Sequence, residues 1–173
     1  MRPIILEGPD GSGKSTLAQR LAKDLDLGIH HPGGPPKNAT EFLGRLDFYD
    51  AMGGSVIYDR SPHISEIIYS QIYQRKTVIP ATDLIGRLQV LRPVIVYCRL
   101  HSVRKMFLSI DQKAKGHKPP EHMAKVMTQY AELVKAYDEF FKNPVGLGTV
   151  IRYDWFDDPY TPFFKKVQSA CAA

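Results

Sequence analysis

Gly8-Pro9-Asp10-Gly11-Ser12-Gly13-Lys14-Ser15 follows a short apolar run, Pro3–Glu7, and leads into Leu17, Ala18, Leu21, Ala22 and Leu25. The spacing is G-x-x-x-x-G-K-[ST], set between a strand pattern and a helix stripe over Lys14–Leu25. Each residue type there has a physical reason. Glycines let the backbone wrap an anion, and successive N–H groups and the helix N-terminus then point at it. Lys14 is spaced to reach terminal phosphates, and the Ser15 hydroxyl to ligate Mg²⁺. A glycine-rich turn with a solvated lysine is the plain alternative, and the strand–loop–helix context argues against it.

The loop therefore predicts ATP and Mg²⁺ as cofactors, cradled by Gly8, Pro9, Asp10, Gly11, Ser12, Gly13, Lys14, Ser15 and Thr16. Such a metal site takes a second anchor, an Asp at the C-terminal end of a buried strand. Two runs qualify, Val56-Ile57-Tyr58-Asp59 and Thr149–Asp154. The first is favoured because Arg60 follows at once. Asp59 is then the metal partner of Ser15, and Arg60 a guanidinium fork for a phosphate of a second substrate. A local Asp59–Arg60 ion pair is the simpler reading, and Asp154 suits a turn or helix cap.

Outward from the loop, strands alternate with helices. His30–Pro36 is rich in Pro and Gly and reads as loop. Helices are predicted over Asn38–Met52, Ser65–Tyr73, Thr82–Leu91, Glu121–Phe141 and Pro159–Ala172, with a short one over 101–110. Strands are predicted over Ser55–Tyr58, Pro93–Cys98 and Thr149–Tyr153. The stripe Met123, Val126, Met127, Tyr130, Val134, Tyr137 and Phe141 reads as core. Apolar strands between helices imply a parallel sheet covered on both faces, an α/β protein. Residues 1–173 read as one domain, with a basic, flexible stretch at Gln112–Pro120.

The 173 residues are 43% hydrophobic and 24% charged, ordinary for a folded domain. No apolar run approaches the ~18 residues of a membrane span. Cys98 and Cys171 are expected as reduced thiols, which with the lack of a leader predicts a cytoplasmic protein, in a host cell if the chain is viral. The net charge of +5 invites a nucleic-acid reading. Its placement argues otherwise. Residues 99–118 hold six cations against one acid, the whole surplus, so nucleic acid is disfavoured as a partner and a few nucleotide phosphates are preferred. A homodimer is allowed for.

The chain is short for a motor, and it lacks the N-K-x-D motif of guanine-reading GTPases. Small kinases remain. They need an acceptor pocket and a cover that keeps water from taking the phosphoryl group. Lys113, Lys115, His117 and Lys118 make a candidate cover, with Lys113 and Lys115 as catalytic cations; a solvated basic loop is the alternative. At this point the residues resemble the thymidylate kinase family of P-loop nucleoside monophosphate kinases. Glu7–Thr16 is similar to its E-G-x-D-G-x-G-K-[ST]-T, and His31–Pro35 to its E-P-G-G-T loop. Asp59-Arg60-Ser61 and Ser65–Tyr69 resemble its D-R-Y-x-x-S-x-x-A-Y segment with one residue inserted, and Tyr130 and Tyr137 fall where the family has the long helix after its lid.

The resemblance implies a three-layer α/β/α P-loop kinase fold with a central parallel sheet and a short lid near 111–120. It implies phosphoryl transfer from ATP to a deoxynucleoside monophosphate, dTMP first among them. Asp10 would then lie near the acceptor's sugar hydroxyl and Arg60 on its phosphate, with Gly33 in the acceptor loop. The acceptor helix should carry a base-stacking Phe and an Arg. Phe42 and Arg45 are the candidates, with Phe48 as a rival and core packing as the plain reading. The chain departs from the family at Gly11, where some members have a catalytic Arg, and at His31, which replaces an acid. A kinase acting on a hydroxyl of a polynucleotide or modified base, and a nucleotide-binding regulatory module, are the competing readings. His63 suits the acceptor side, the surface or a cap. Trp155-Phe156 suits adenine contact or core.

Overall fold

The computed structural model describes residues 1–32, 36–52, 54, 56–99, 102, 120–144 and 146–173, with the backbone alone over 120–128. The elements run β1 (Ile4–Glu7), α1 (Lys14–Leu25), β2 (Gly28–His30), α2 (Ala39–Met52), β3 (Val56–Asp59), α3 (Pro62–Ile72) and α4 (Ala81–Leu91). Then come β4 (Val94–Cys98), α5 (Pro120–Phe140), β5 (Thr149–Tyr153) and α6 (Tyr160–Ala172). The strands form one parallel sheet in the order β2-β3-β1-β4-β5.

Side chains alternate across the sheet, as a strand requires. Ile4, Leu6, Ile57, Val94, Val96 and Cys98 pack with α1 and α6. Ile5, Tyr58, Ile95 and Tyr97 face α2, α3, α4 and α5 through Tyr49, Ile64, Ile68, Leu88, Leu133, Tyr137 and Phe141. That gives three layers. Both faces are apolar because parallel strands are covered on both sides, so the strands read as continuous hydrophobic runs.

Two expectations change. The pattern predicts four strands, but Gly28–His30 adds a fifth, pairing with β3. It is a three-residue edge strand containing glycine, too short and half-exposed to show a period. Helix α3 begins at Pro62 instead of Ser65. Ser61 is its N-cap, its Oγ accepting from the His63 N–H, and Pro62 stands where the missing N–H costs nothing. The lid at 111–120 and the helix at 101–110 lie outside the described residues, apart from Pro120, which opens α5, and Ser102. Cys98 and Cys171 are buried free thiols. Among the described residues no helix is long and apolar enough to cross a membrane.

Strand β1 lies between β3 and β4, so the chain leaves it in both directions across the sheet. In such sheets the crevice beyond the carboxyl ends of the strands is where ligands bind. Glu7, the phosphate loop, Asp59 and Arg60 all fall at that edge.

Candidate active site

Backbone geometry accounts for the glycines of the loop. Gly8 has φ 145°, and a Cβ there would lie 2.2 Å from the Cys98 carbonyl oxygen. Gly13 has φ 83°, and a Cβ there would meet the Trp155 ring at 2.4 Å. Neither position accommodates a side chain without moving its neighbour. Lys14 is buried, and its ammonium donates to the Gly8 and Pro9 carbonyls, both at 2.7 Å. Burial, and next the Arg60 charge, lower its pKa to about 8.

Asp59 stands across from the loop because β3 pairs with β1, Leu6 opposite Asp59. The Ser15 hydroxyl donates to Asp59 Oδ2 at 2.7 Å, and His31 Nδ1 lies 3.0 Å from the same oxygen. Two hard oxygens this close fit within one ion's coordination sphere. Among the described residues no group of three or more His, Cys, Asp or Glu gathers to hold a metal. Mg²⁺ takes one or two protein oxygens and keeps waters and phosphates, so the Ser15 and Asp59 oxygens are the ones that would hold it.

Arg60 sits in the left-handed region at φ 82°, uncommon for a residue with a side chain. Its N–H donates to the Leu6 carbonyl at 3.0 Å, and its own carbonyl accepts from the Tyr49 hydroxyl at 2.5 Å. These bonds turn the side chain back over the cleft. Its guanidinium donates to Asp10 Oδ1 at 2.5 Å and to the Tyr137 hydroxyl at 3.0 Å, and lies 5.7 Å from the Tyr69 ring. Asp10, Lys14 and Ser15 on one side and Asp59 and Arg60 on the other border a cleft of about 290 Å³, with His31 at its wall.

The structure thus brings together Asp10, Lys14, Ser15, Asp59 and Arg60. It does not bring Phe42 to them. Phe42 is 1% exposed and packs with Leu46, Ile67 and Leu84, so its ring belongs to the core and presents no face to a base. Phe48 is the more open ring, 41% exposed and 4.7 Å from the His30 ring. Burial, and next the neighbouring His31, lower the pKa of His30, and Arg45, paired with Glu41 one turn earlier, adds to that shift. Gly33, Lys113 and Lys115 lie outside the described residues.

His63 is neither at the surface nor open to the cleft. It is fully buried, Nδ1 3.1 Å from Ser61 Oγ and Nε2 3.3 Å from Asp50 Oδ1. Asp154 accepts from the Phe156 N–H in a turn, away from Ser15's partner Asp59. Trp155 and Phe156 stack on each other at 3.9 Å and are both more than a third exposed, so they are not plain core. Trp155 lies against Gly13, beside the start of α1.

Two residues that the sequence motifs contain were given no role in the site. Glu7 is fully buried, and both carboxylate oxygens accept hydrogen bonds, Oε1 from the Ser61 N–H at 2.6 Å and Oε2 from the Tyr137 hydroxyl at 3.0 Å. Burial raises its pKa, opposed by Arg60 and the Ser61 N–H. Its signal was available: an acid closing an otherwise aliphatic strand. Tyr137 was hidden in a core stripe, where only its hydroxyl sets it apart.

No family model matches the chain. The Holliday junction branch migration complex subunit RuvB of Rhodospirillum centenum is 36% identical over 70 residues, covering 38% of this chain and 19% of that protein. RuvB of Flavobacterium johnsoniae is 37% identical over 70 residues, covering 38% and 21%. The chain thus spans about a fifth of the length of these curated relatives. Among solved structures, deoxyadenosine kinase from M. mycoides with bound dATP matches over 100% of both chains, TM-score 0.66 at 17% identity. The YorR protein of Bacillus subtilis, in complex with phosphorylated GDP, matches over 98% and 95%, TM-score 0.62 at 19% identity. Shikimate kinase from Acinetobacter baumannii, in complex with shikimate, matches over 99% and 93%, TM-score 0.61 at 14% identity. With the parallel five-stranded sheet, these likenesses show a three-layer α/β/α fold of the P-loop kinase kind.

Proposed function

We propose that this protein transfers a phosphoryl group from ATP to a deoxynucleoside monophosphate, giving ADP and the diphosphate, with dTMP the first acceptor to try. The observation that carries the reading is Arg60. The phosphate loop and Lys14 already provide for the donor phosphates, so a second cation, the Arg60 guanidinium held across the cleft beside Asp10, implies a second phosphate.

When bound, Mg²⁺ would supply charge neutralisation on the transferred group, held from Ser15 and Asp59. The remaining work falls to the chain. Lys14 exchanges the loop carbonyls for phosphate oxygens, and the loop N–H groups orient them. Arg60 leaves Asp10 for the acceptor phosphate, aligning it with the donor, and Asp10 is released towards the acceptor's sugar hydroxyl. Aligning two substrates and surrounding their phosphates with cations supplies most of the catalysis in such transfers. Lys113 and Lys115 are proposed to add cations over the cleft from the lid at 111–120.

A deoxynucleoside hydroxyl as acceptor is the second reading. His31 favours it, since an imidazole at the cleft wall gives a base for a hydroxyl proton. The test is ADP release with ATP and Mg²⁺ across dTMP, dUMP, dGMP, dCMP and dAMP, with the matching deoxynucleosides alongside. Turnover on at least one monophosphate is expected. Turnover on deoxynucleosides alone establishes the second reading, and turnover on neither overturns both.

A further inference from the structure

We infer that Glu7 and Tyr137 are positioning residues for Arg60, a buried carboxylate–phenol relay that aims the acceptor arm. The inference rests on the reading of Arg60 as the group that grips the acceptor phosphate. Three observations carry it. The Tyr137 hydroxyl donates to Glu7 Oε2 and accepts from Arg60 Nη1, both at 3.0 Å, so its one proton has one direction to point. Glu7 Oε1 accepts from the N–H of Ser61, the residue after Arg60, so the same carboxylate holds the backbone and the side chain of the arm. Both carboxylate oxygens are engaged, and burial, which raises the Glu7 pKa, is opposed by the Arg60 charge and the Ser61 N–H.

A long arginine on a strained backbone has many rotamers, and holding it in one before substrate arrives removes an entropy cost from binding. The surface ion pair with Asp10 cannot do this alone, because Asp10 is largely exposed and the acceptor phosphate competes for the same guanidinium edge. Tyr137 holds the other terminal nitrogen, Nη1 rather than Nη2. The relay therefore persists while Nη2 changes partners. Tyr137 belongs to α5, the helix that follows the lid segment in sequence, so the relay also ties that helix to the acceptor arm.

The test uses Tyr137→Phe, which removes one oxygen and keeps the ring against both Tyr97 and Phe141. The acceptor KM should rise about tenfold, with ATP KM within twofold and Tm within a few degrees. Glu7→Gln should shift the same parameter, and the double variant should fall short of the product of the singles. An equal loss for both substrates, a change in Tm alone, or no change overturns the relay. A second measurement is independent of turnover. In ¹⁵N spectra of the free protein, the Arg60 guanidinium, assigned by Arg60→Lys, should show separate Nη signals that merge in Tyr137→Phe. Unchanged signals overturn the relay. If the wild-type chain turns over no monophosphate, the function reading fails and the spectra still decide the relay.

Discussion

Lys14 is a buried ammonium that donates to the Gly8 and Pro9 carbonyls and to Ser12 Oγ of its own loop. Burial, and then Arg60, bring its pKa from 10.5 to about 8. Between those values the unfolded chain binds more protons than the folded one, so this residue's contribution to stability rises with pH there. Nucleotide phosphates favour the ammonium and reverse the shift. ATP binding should therefore take up a proton above about pH 8, and ATP affinity should fall as pH rises further. Calorimetry at about pH 8.5 in two buffers of different ionisation enthalpy measures the uptake; buffer-independent heats refute it. The two cations of the cleft should also separate by substrate. Lys14→Ala should abolish ATP binding and turnover. Arg60→Ala should raise acceptor KM roughly 10- to 100-fold, the worth of a charge-assisted hydrogen bond, with ATP affinity nearly intact. An equal fall in ATP binding for both variants contradicts the assignment of Arg60.

At the scale of elements, α3 shows how a short segment orients a site. Ser61 caps the helix, accepts from the His63 N–H, and donates its own N–H to Glu7. Ser61→Ala removes the cap and should cost about 1 kcal/mol, read as a lower midpoint in urea with an unchanged slope. A midpoint equal to wild type means that the cap contributes nothing. The strong elements were legible because their periods are long: the stripe of α1, the aliphatic run of β4, the amphipathic α5. The start of α3 was not, because Ser-Pro opens a turn as readily as a helix, and the bond from the His63 N–H to Ser61 Oγ is what makes it a cap. Edge strand β2 was not, because three residues with a glycine carry no period, and pairing with β3 alone makes them a strand.

At the scale of the whole molecule, Arg99 is the one cation of the basic window 99–118 that lies among the described residues. Arg99, the first cation of the basic window, is paired with Asp138 of α5 at 2.9 Å and is not part of a free positive stripe. Acceptor binding should thus depend on salt as a few phosphates do. A plot of log KM for the acceptor against log salt should have a slope no steeper than about 2 in magnitude, and a 12-base oligonucleotide should compete poorly. A slope several times larger, with strong competition, supports a polynucleotide acceptor instead.

The sequence by itself determined the glycine-rich loop motif and the alternation of strands and helices, because each is written in the spacing of neighbouring residues. It favoured Asp59 over Asp154 as the partner of Ser15, and the pairing of β3 with β1 is what puts Asp59 beside that hydroxyl. Only the tertiary structure decided which aromatic rings are core and which are open. Phe42 and Phe48 lie on the same helix, and α3 and α4 cover Phe42 through Ile67 and Leu84 whereas β2 meets Phe48 through His30. It alone joined Glu7 to Tyr137, 130 residues apart. A buried acid and a phenol mean little separately; only the sheet and the helix above it bring them to one hydrogen bond.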